Sequence, residues 1–334
     1  MKYNNIQNNI ILEGTWGLGK TTVAKEFAKR FNYLFIPEPS HLEAEKNEDL
    51  TNLQTWYRSA HLKQEKYFAH SGVEPCILER SILSVFAFEY ALYQALPSLS
   101  EMARLREVLA QSKTLLVYLT PESESYDALK QSCRVGENIQ SILANKEALD
   151  RYFKFYSSIL PWKYDIVPLI LPSIDERINR DAIRVASEIH SALEAQRVGQ
   201  VNVICLDTAI SMKDPRILIM HRVPNRGGFW QTVTGGIHPG EPLTLAAARE
   251  VLEEVEIGLT SNDLMPTHYV HSFLGNDGYR LTEYVFTGLI KQRQDICSSK
   301  EHDEMRWVSI DEAKNLMYYE SNRIALDHAI EVLK

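Results

Sequence analysis

Short apolar runs alternate with amphipathic stretches through the first half of the chain. Ile10-Ile11-Leu12, Tyr33-Leu34-Phe35-Ile36, Cys76-Ile77-Leu78 and residues 115–119 and 166–170 are apolar segments of strand length. Between them Val23, Phe27 and Phe31, and later Leu149, Phe153 and Tyr156, recur at helical spacing. Continuous apolar strands separated by helices predict a buried parallel sheet covered on both faces. A last helix is expected over 174–193, and the polar stretch 194–200, containing Gly199, reads as a domain boundary.

Beyond it the pattern changes. Segments 201–206, 217–221 and 230–234 read as strands before a single strong helix at 245–256. Runs at 268–273 and 279–289 flank Asn276-Asp277-Gly278, a hairpin signal. A strand at 305–308 precedes two further helices. The expectation is an α/β chain of two domains: a doubly covered parallel sheet over 1–195, then a mixed α/β/α sandwich over 200–334.

Bulk properties permit two ordinary domains. The chain has 334 residues, 45% of them hydrophobic and 24% charged, which suits globular cores. A formal net charge of -8 argues against a general nucleic-acid binder, which needs a basic face. Cys76, Cys133, Cys205 and Cys297 are scattered, with no C-x-x-C pair, as in a reduced cytoplasmic protein. Residues 1–9 are polar with no secretory core, and no apolar run reaches the ~20 residues of a membrane span. The expected partners are small molecules, with no nucleic acid or membrane; a homodimer is left open.

Two phosphate-handling patterns stand on this frame. Gly14-Thr15-Trp16-Gly17-Leu18-Gly19-Lys20-Thr21-Thr22 follows an apolar strand and opens a helix. Such a loop offers backbone amides and a positive helix end to phosphates. Lys20 can reach the β- and γ-phosphates, and the Thr21 hydroxyl can ligate Mg²⁺. The surrounding residues resemble the deoxyribonucleoside kinase and thymidylate kinase group of P-loop enzymes. Glu13-Gly14-Thr15 with Gly-Lys-Thr-Thr, Glu38-Pro39 closing the second strand and Glu79-Arg80-Ser81 closing the third carry the resemblance.

That likeness implies ATP as donor, held by the loop and by Arg134 in a lid at 130–138. It also implies Glu38 as the base for a nucleoside 5′-hydroxyl and Arg80 as a clamp on the transferred phosphate. Gln54, beside Trp56, and Glu79 would contact the acceptor. Pro37 stands where a thymidylate kinase carries an Arg for an acceptor phosphate, which favours a nucleoside; a monophosphate acceptor is the alternative.

The second pattern is G-x5-E-x7-R-E-U-x-E-E-x-G-U, met by Gly235, Glu241, Arg249, Glu250, Val251, Glu253, Glu254 and Ile257, with Glu256 at its second glycine. Glu250, Glu253 and Glu254 fall at i, i+3 and i+4, so three carboxylates share one helix face. Hard oxygen ligands select Mg²⁺ or Mn²⁺. Arg249 is placed to orient Glu253, and Gly258 to cap the helix in place of the missing glycine. This half resembles the Nudix hydrolases, its details the dihydroneopterin triphosphate pyrophosphatase branch. The branch likeness rests on Phe229 to Gly236, Glu301-His302 before Arg306-Trp307, and Ser321-Asn322-Arg323. It implies Glu253 and Glu254 in catalysis, Glu301 as a further metal ligand and Trp230 in substrate binding. His268 and His271, oddly spaced on a strand, are expected on opposite faces. The expected protein is a bifunctional enzyme joining a nucleoside kinase to a (d)NTP or pterin triphosphate pyrophosphohydrolase; the rival is a nucleotide sensor without catalysis.

Overall fold

β1 (Ile10–Gly14) is buried along its whole length and lies at the centre of a parallel sheet. The computed structural model describes residues 8–39, 58–62, 74–120, 145–172, 179–209, 215–275, 280–291 and 300–334. Gln54, Trp56, Cys133, Arg134 with the lid 130–138, Cys297 and the turn 276–278 lie outside them. The chain divides into two units, Met1–Gln196 and Arg197–Lys334.

In the first unit α1 (Lys20–Phe31), β2 (Leu34–Ile36), β3 (Cys76–Glu79), α2 (Ile82–Tyr93), α3 (Leu99–Gln111) and β4 (Leu115–Thr120) follow β1. α4 (Lys146–Lys154), α5 (Leu160–Tyr164), β5 (Leu169–Pro172) and α6 (Asn179–Ala195) complete it. The strands lie in the order β2-β3-β1-β4-β5, all pairs parallel. β1 is flanked by β3 and β4, so successive connections leave it in opposite directions. The crevice beyond its carboxyl end is where ligands bind in open sheets of this kind.

Several details depart from the sequence reading. β2 is an edge strand, not a buried one; Leu34 is 39% exposed. β5 begins only at Leu169, after Pro168, whose missing N–H cannot serve a ladder. The helical spacing through Leu149, Phe153 and Tyr156 is interrupted by a π turn at Phe155–Ile159 between α4 and α5. Gly199, read as linker, opens a strand.

That strand is β6 (Gly199–Asp207) of the second unit. It is followed by β7 (Arg216–Arg222), β8 (Trp230–Gln231), β9 (Val233–Ile237), α7 (Leu243–Val255), β10 (Leu264–Leu274), β11 (Arg280–Ile290), β12 (His302–Val308), α8 (Ile310–Leu316) and α9 (Glu320–Glu331). The mixed sheet runs β10-β11-β6-β7-β12, with β8 against β7 and β9 against β6. Ile204 and Leu206 of β6 meet Ala325, Leu326 and Ala329 of α9, while α7 packs on β9 and β6. The segment expected as one strand at 230–234 is two, broken at Thr232. His268 is exposed and His271 half-buried, beside a register shift between Pro266 and Val270.

α7 ends on Glu256 itself, in the left-handed region at φ 59, with its N–H bonded to the Leu252 carbonyl at 3.1 Å. Gly258 does not take the cap, because the chain has already turned two residues earlier. A side chain held left-handed costs roughly 1 kcal/mol, which glycine avoids. Glu256→Gly should therefore raise the unfolding free energy of the second unit by about that amount, measured by denaturant titration. A destabilised variant would contradict this origin of the cap.

Candidate functional site

In the first unit the site residues gather at the carboxyl ends of β1, β2 and β3. Gly14 brings the loop against β4: a Cβ there would stand 2.8 Å from the Leu119 carbonyl oxygen, at φ +146. Gly19 caps α1 in the left-handed region. Lys20 is buried and donates to the Thr15 carbonyl of its own loop at 2.7 Å. The Thr21 hydroxyl donates to Glu79 at 2.5 Å, so Glu79 lies beside the residue expected to hold a cation. Thr22 is exposed on the first turn of α1.

Arg80 is almost wholly buried and sits at φ 63. Its Nε lies 2.9 Å from Glu38, and its guanidinium stacks over the Trp16 ring at 4.6 Å. Burial works against its charge, yet Glu38, Tyr152 and Glu13 hold its pKa above the ordinary value. Among the described residues, Arg80 Nη2 and the Thr15 hydroxyl are buried without a hydrogen-bond partner. Both stand at the strand end, where an acceptor could meet them.

Sequence reasoning missed two residues here. The Glu13 carboxylate accepts from the Ser81 N–H (2.8 Å), the Ser81 hydroxyl (2.7 Å), Ser84 (2.5 Å) and Tyr156 (3.0 Å). Burial raises its pKa against these donors. Ser81 N–H belongs to the peptide that follows Arg80, so Glu13 fixes the left-handed turn at that residue. Tyr156 reaches Glu13 from the π turn. The other is His61, buried and pushed down to about 4 by desolvation, with Glu38 opposing and Arg80 reinforcing. No local pattern marks it.

In the second unit the site is built on α7. Its buried stripe runs Leu243, Ala246, Ala247, Glu250, Val251, Val255, so Glu250 falls among apolar positions. The carboxylate fits only because Gly235 has no side chain: a Cβ there would lie 1.8 Å from its carboxyl carbon. Arg249 compensates the buried charge. It donates to Glu241 from Nε and Nη2 at 2.8 Å each, to Glu250 at 2.6 Å and to the Gly236 carbonyl at 2.7 Å. Its contact with Glu253, 3.3 Å, is the longest of the set.

Burial raises the Glu250 pKa, Arg249 lowers it, and Glu253 and Glu254 raise it again. Glu254 lies 2.8 Å from His302 Nδ1. Glu301 lies against Arg226 and, at 3.5 Å, Arg222. Trp230 is half-buried, between the His221 ring (5.1 Å) and the Arg306 guanidinium (4.9 Å). The half-buried Phe229 and the exposed Tyr318 and Tyr319 form an aromatic cluster near it, with ring centroids 4.9–5.6 Å apart.

A family profile described as NUDIX domain matches residues 200–328. The RNA pyrophosphohydrolase of Rickettsia typhi is 32% identical over 117 residues, covering 31% of this chain and 73% of that protein. The chain belongs to the Nudix family, through its carboxy-terminal unit. An octanoyltransferase of Myxococcus xanthus is 31% identical over 119 residues; the match covers 35% of this chain and 32% of that protein, about a third of its length. The solved structure of the E. coli dihydroneopterin triphosphate pyrophosphohydrolase is 28% identical, covering 40% of this chain and 95% of that chain with a TM-score of 0.34.

Nudix hydrolases generally use Mg²⁺ or Mn²⁺. Among the described residues no three acidic, histidine or cysteine side chains already stand as a metal-binding cluster. The donor set nevertheless fits one. Glu250 is buried next to two like charges, a repulsion that a hard cation would relieve, and Glu253 is exposed and able to swing. Among the described residues no helix is long and apolar enough to cross a membrane.

Gly235→Ala drives a methyl group into the Glu250 carboxylate and should destabilise the second unit by roughly 1–3 kcal/mol, read from denaturation midpoints; a neutral effect would deny the close approach. Burial, reinforced by Arg80, pushes the Lys20 ammonium down to about 7 from 10.5. The folded value lies below the unfolded one, so Lys20 costs stability in full below about 7 and none above 10.5. A phosphate placed against Lys20 would restore its proton. Nucleoside triphosphate binding at pH 8 should take up about one proton, and at pH 5.5 almost none, by calorimetry in buffers of different ionisation enthalpy. Equal uptake at both would refute this placement of Lys20.

Proposed function

We propose that the chain is a bifunctional enzyme of nucleotide metabolism. The second unit hydrolyses a (d)NTP or pterin triphosphate with water to a monophosphate and pyrophosphate. The observation that carries this reading is the buried Glu250, held against Gly235 and charge-paired by Arg249 on the face that bears Glu253 and Glu254. Glu250, Glu253 and Glu254, with Glu301, would hold Mg²⁺ or Mn²⁺, which would supply charge neutralisation for the diphosphate and a more acidic attacking water. Glu253 and Glu254 supply carboxylate oxygens to accept that water's proton. The exposed rings of Tyr318 and Tyr319, with the half-buried Phe229 beside them and Arg222 over Phe229 at 5.8 Å, offer a base a stacking surface. Trp230 flanks it. The full carboxylate set weighs against a sensor, which has no use for three.

The first unit transfers the γ-phosphoryl of ATP to a (deoxy)nucleoside, giving a monophosphate and ADP. The Glu38–Arg80 pair at the sheet's carboxyl edge supports this reading. Glu38 accepts the 5′-hydroxyl proton; Arg80 and Lys20 face the transferred charge. The loop amides from Gly14 to Thr22 cradle phosphates. Thr21 and Glu79 would hold the nucleotide's Mg²⁺, a role for Glu79 in place of substrate contact, drawn from its 2.5 Å bond to Thr21. A cytoplasmic location suits both substrates.

The two activities should separate. In the full chain Lys20→Ala should abolish phosphoryl transfer and leave hydrolysis intact, while Glu254→Gln should do the reverse, by roughly 10²-fold or more. Phosphorus NMR of the hydrolysis should show pyrophosphate as first product, none of it after chelation. Orthophosphate first, or one substitution eliminating both activities in folded protein, would sink the reading. RNA bearing a 5′-triphosphate belongs in the substrate panel beside free nucleotides; turnover of the RNA alone would replace the substrate class named here.

A further inference from the structure

β12 carries an irregularity that changes where one side chain goes. Met305 pairs with Met220 and Glu304 with His221, but the next paired residue is His302, opposite Arg222. Asp303 is the extra residue, held outside by a 2.7 Å contact with His221. On a regular strand, with Asp303 paired in its turn, His302 would follow Glu304 and Arg306 onto the exposed face, because side chains alternate along a strand. The bulge turns the imidazole inward instead, to a side-chain exposure of 2%.

Inside, its two ring nitrogens meet different groups. Nδ1 lies 2.8 Å from Glu254 on α7. Nε2 faces the buried Gln231 amide nitrogen of β8 at 3.5 Å. An amide N–H directed at Nε2 leaves the ring proton on Nδ1, where it donates to the carboxylate. A buried line thus runs from β8 through β12 to the helix that carries the acidic box.

We propose that His302 is a positioning residue for Glu254, set by the Asp303 bulge and by Gln231, and that it selects the carboxylate rotamer that takes a divalent cation. This rests on the hydrolase reading above for its consequence, though not for its geometry. A carboxylate on a two-bond stem explores several rotamers, and one fixed by a buried donor loses less freedom when it binds a cation. Partners of this second rank around a metal site are worth about 10–100-fold in metal affinity or activity.

The test uses Mn²⁺ itself as probe, titrated into the full chain and followed by electron paramagnetic resonance, with Glu254→Gln marking loss of the ligand. His302→Leu keeps the packing and removes the donor; it should bind Mn²⁺ about 10–100-fold more weakly. His302→Asn restores an N–H near Nδ1 and should regain most of that affinity. Turnover of a triphosphate at limiting Mn²⁺ should fall in step, with KM for the triphosphate unchanged at saturating Mn²⁺. Wild-type affinity in His302→Leu, or His302→Asn as weak as His302→Leu, would overturn the proposal. Should His302→Leu not fold, Gln231→Met decides: weakened Mn²⁺ binding supports it and wild-type binding overturns it. An intact pattern of Mn²⁺ affinities in a chain that hydrolyses no triphosphate would sink the hydrolase reading and leave the positioning role standing.

Discussion

The Arg249 guanidinium is the contact on which the second unit's chemistry depends. Glu250 lies on the buried stripe of α7, where an uncompensated carboxylate would cost several kcal/mol. Arg249 meets that cost from one residue away while anchored by two parallel bonds to Glu241 and one to the Gly236 carbonyl. Loop, strand and helix are thereby tied at one point. Gly235 supplies the space and Arg249 the charge. Glu253, on the exposed side of the same helix, is left accessible to a ligand.

Glu13 has the corresponding part in the first unit, with the sign reversed. A buried anion gathers the Ser81 amide and three hydroxyls, and so holds the turn that presents Arg80. Each unit therefore fixes its turn or helix face by satisfying a buried carboxylate, Glu250 with the Arg249 guanidinium and Glu13 with an amide and three hydroxyls, the arrangement that makes such groups tolerable away from water.

Much of this was legible in the residues. Apolar runs located the strands of both sheets, and the i, i+3, i+4 spacing located the acidic face of α7. Gly235 and Glu241 were visible as positions but not as reasons: only the fold shows that one makes room for Glu250 and the other anchors Arg249. The Glu256 cap was misread because a left-handed side chain leaves no mark in sequence once the usual glycine is gone. His302 was visible as a neighbour of Glu301, but its inward turn depends on a one-residue register shift that periodicity alone cannot place. Glu13 was visible only as part of a motif, and His61 not at all, because the groups that act on them, Ser81 and Tyr156 for the one and the Glu38–Arg80 pair for the other, come from distant strands and helices.

The central claim is that Glu241, Arg249 and Glu250 act as one unit. A double-mutant cycle on triphosphate hydrolysis, with Glu241→Gln, Arg249→Met and both together, tests it directly. If Glu241 works by anchoring Arg249, the double variant should be little worse than Arg249→Met alone, a coupling within about 0.5–3 kcal/mol. Losses that simply add would contradict it.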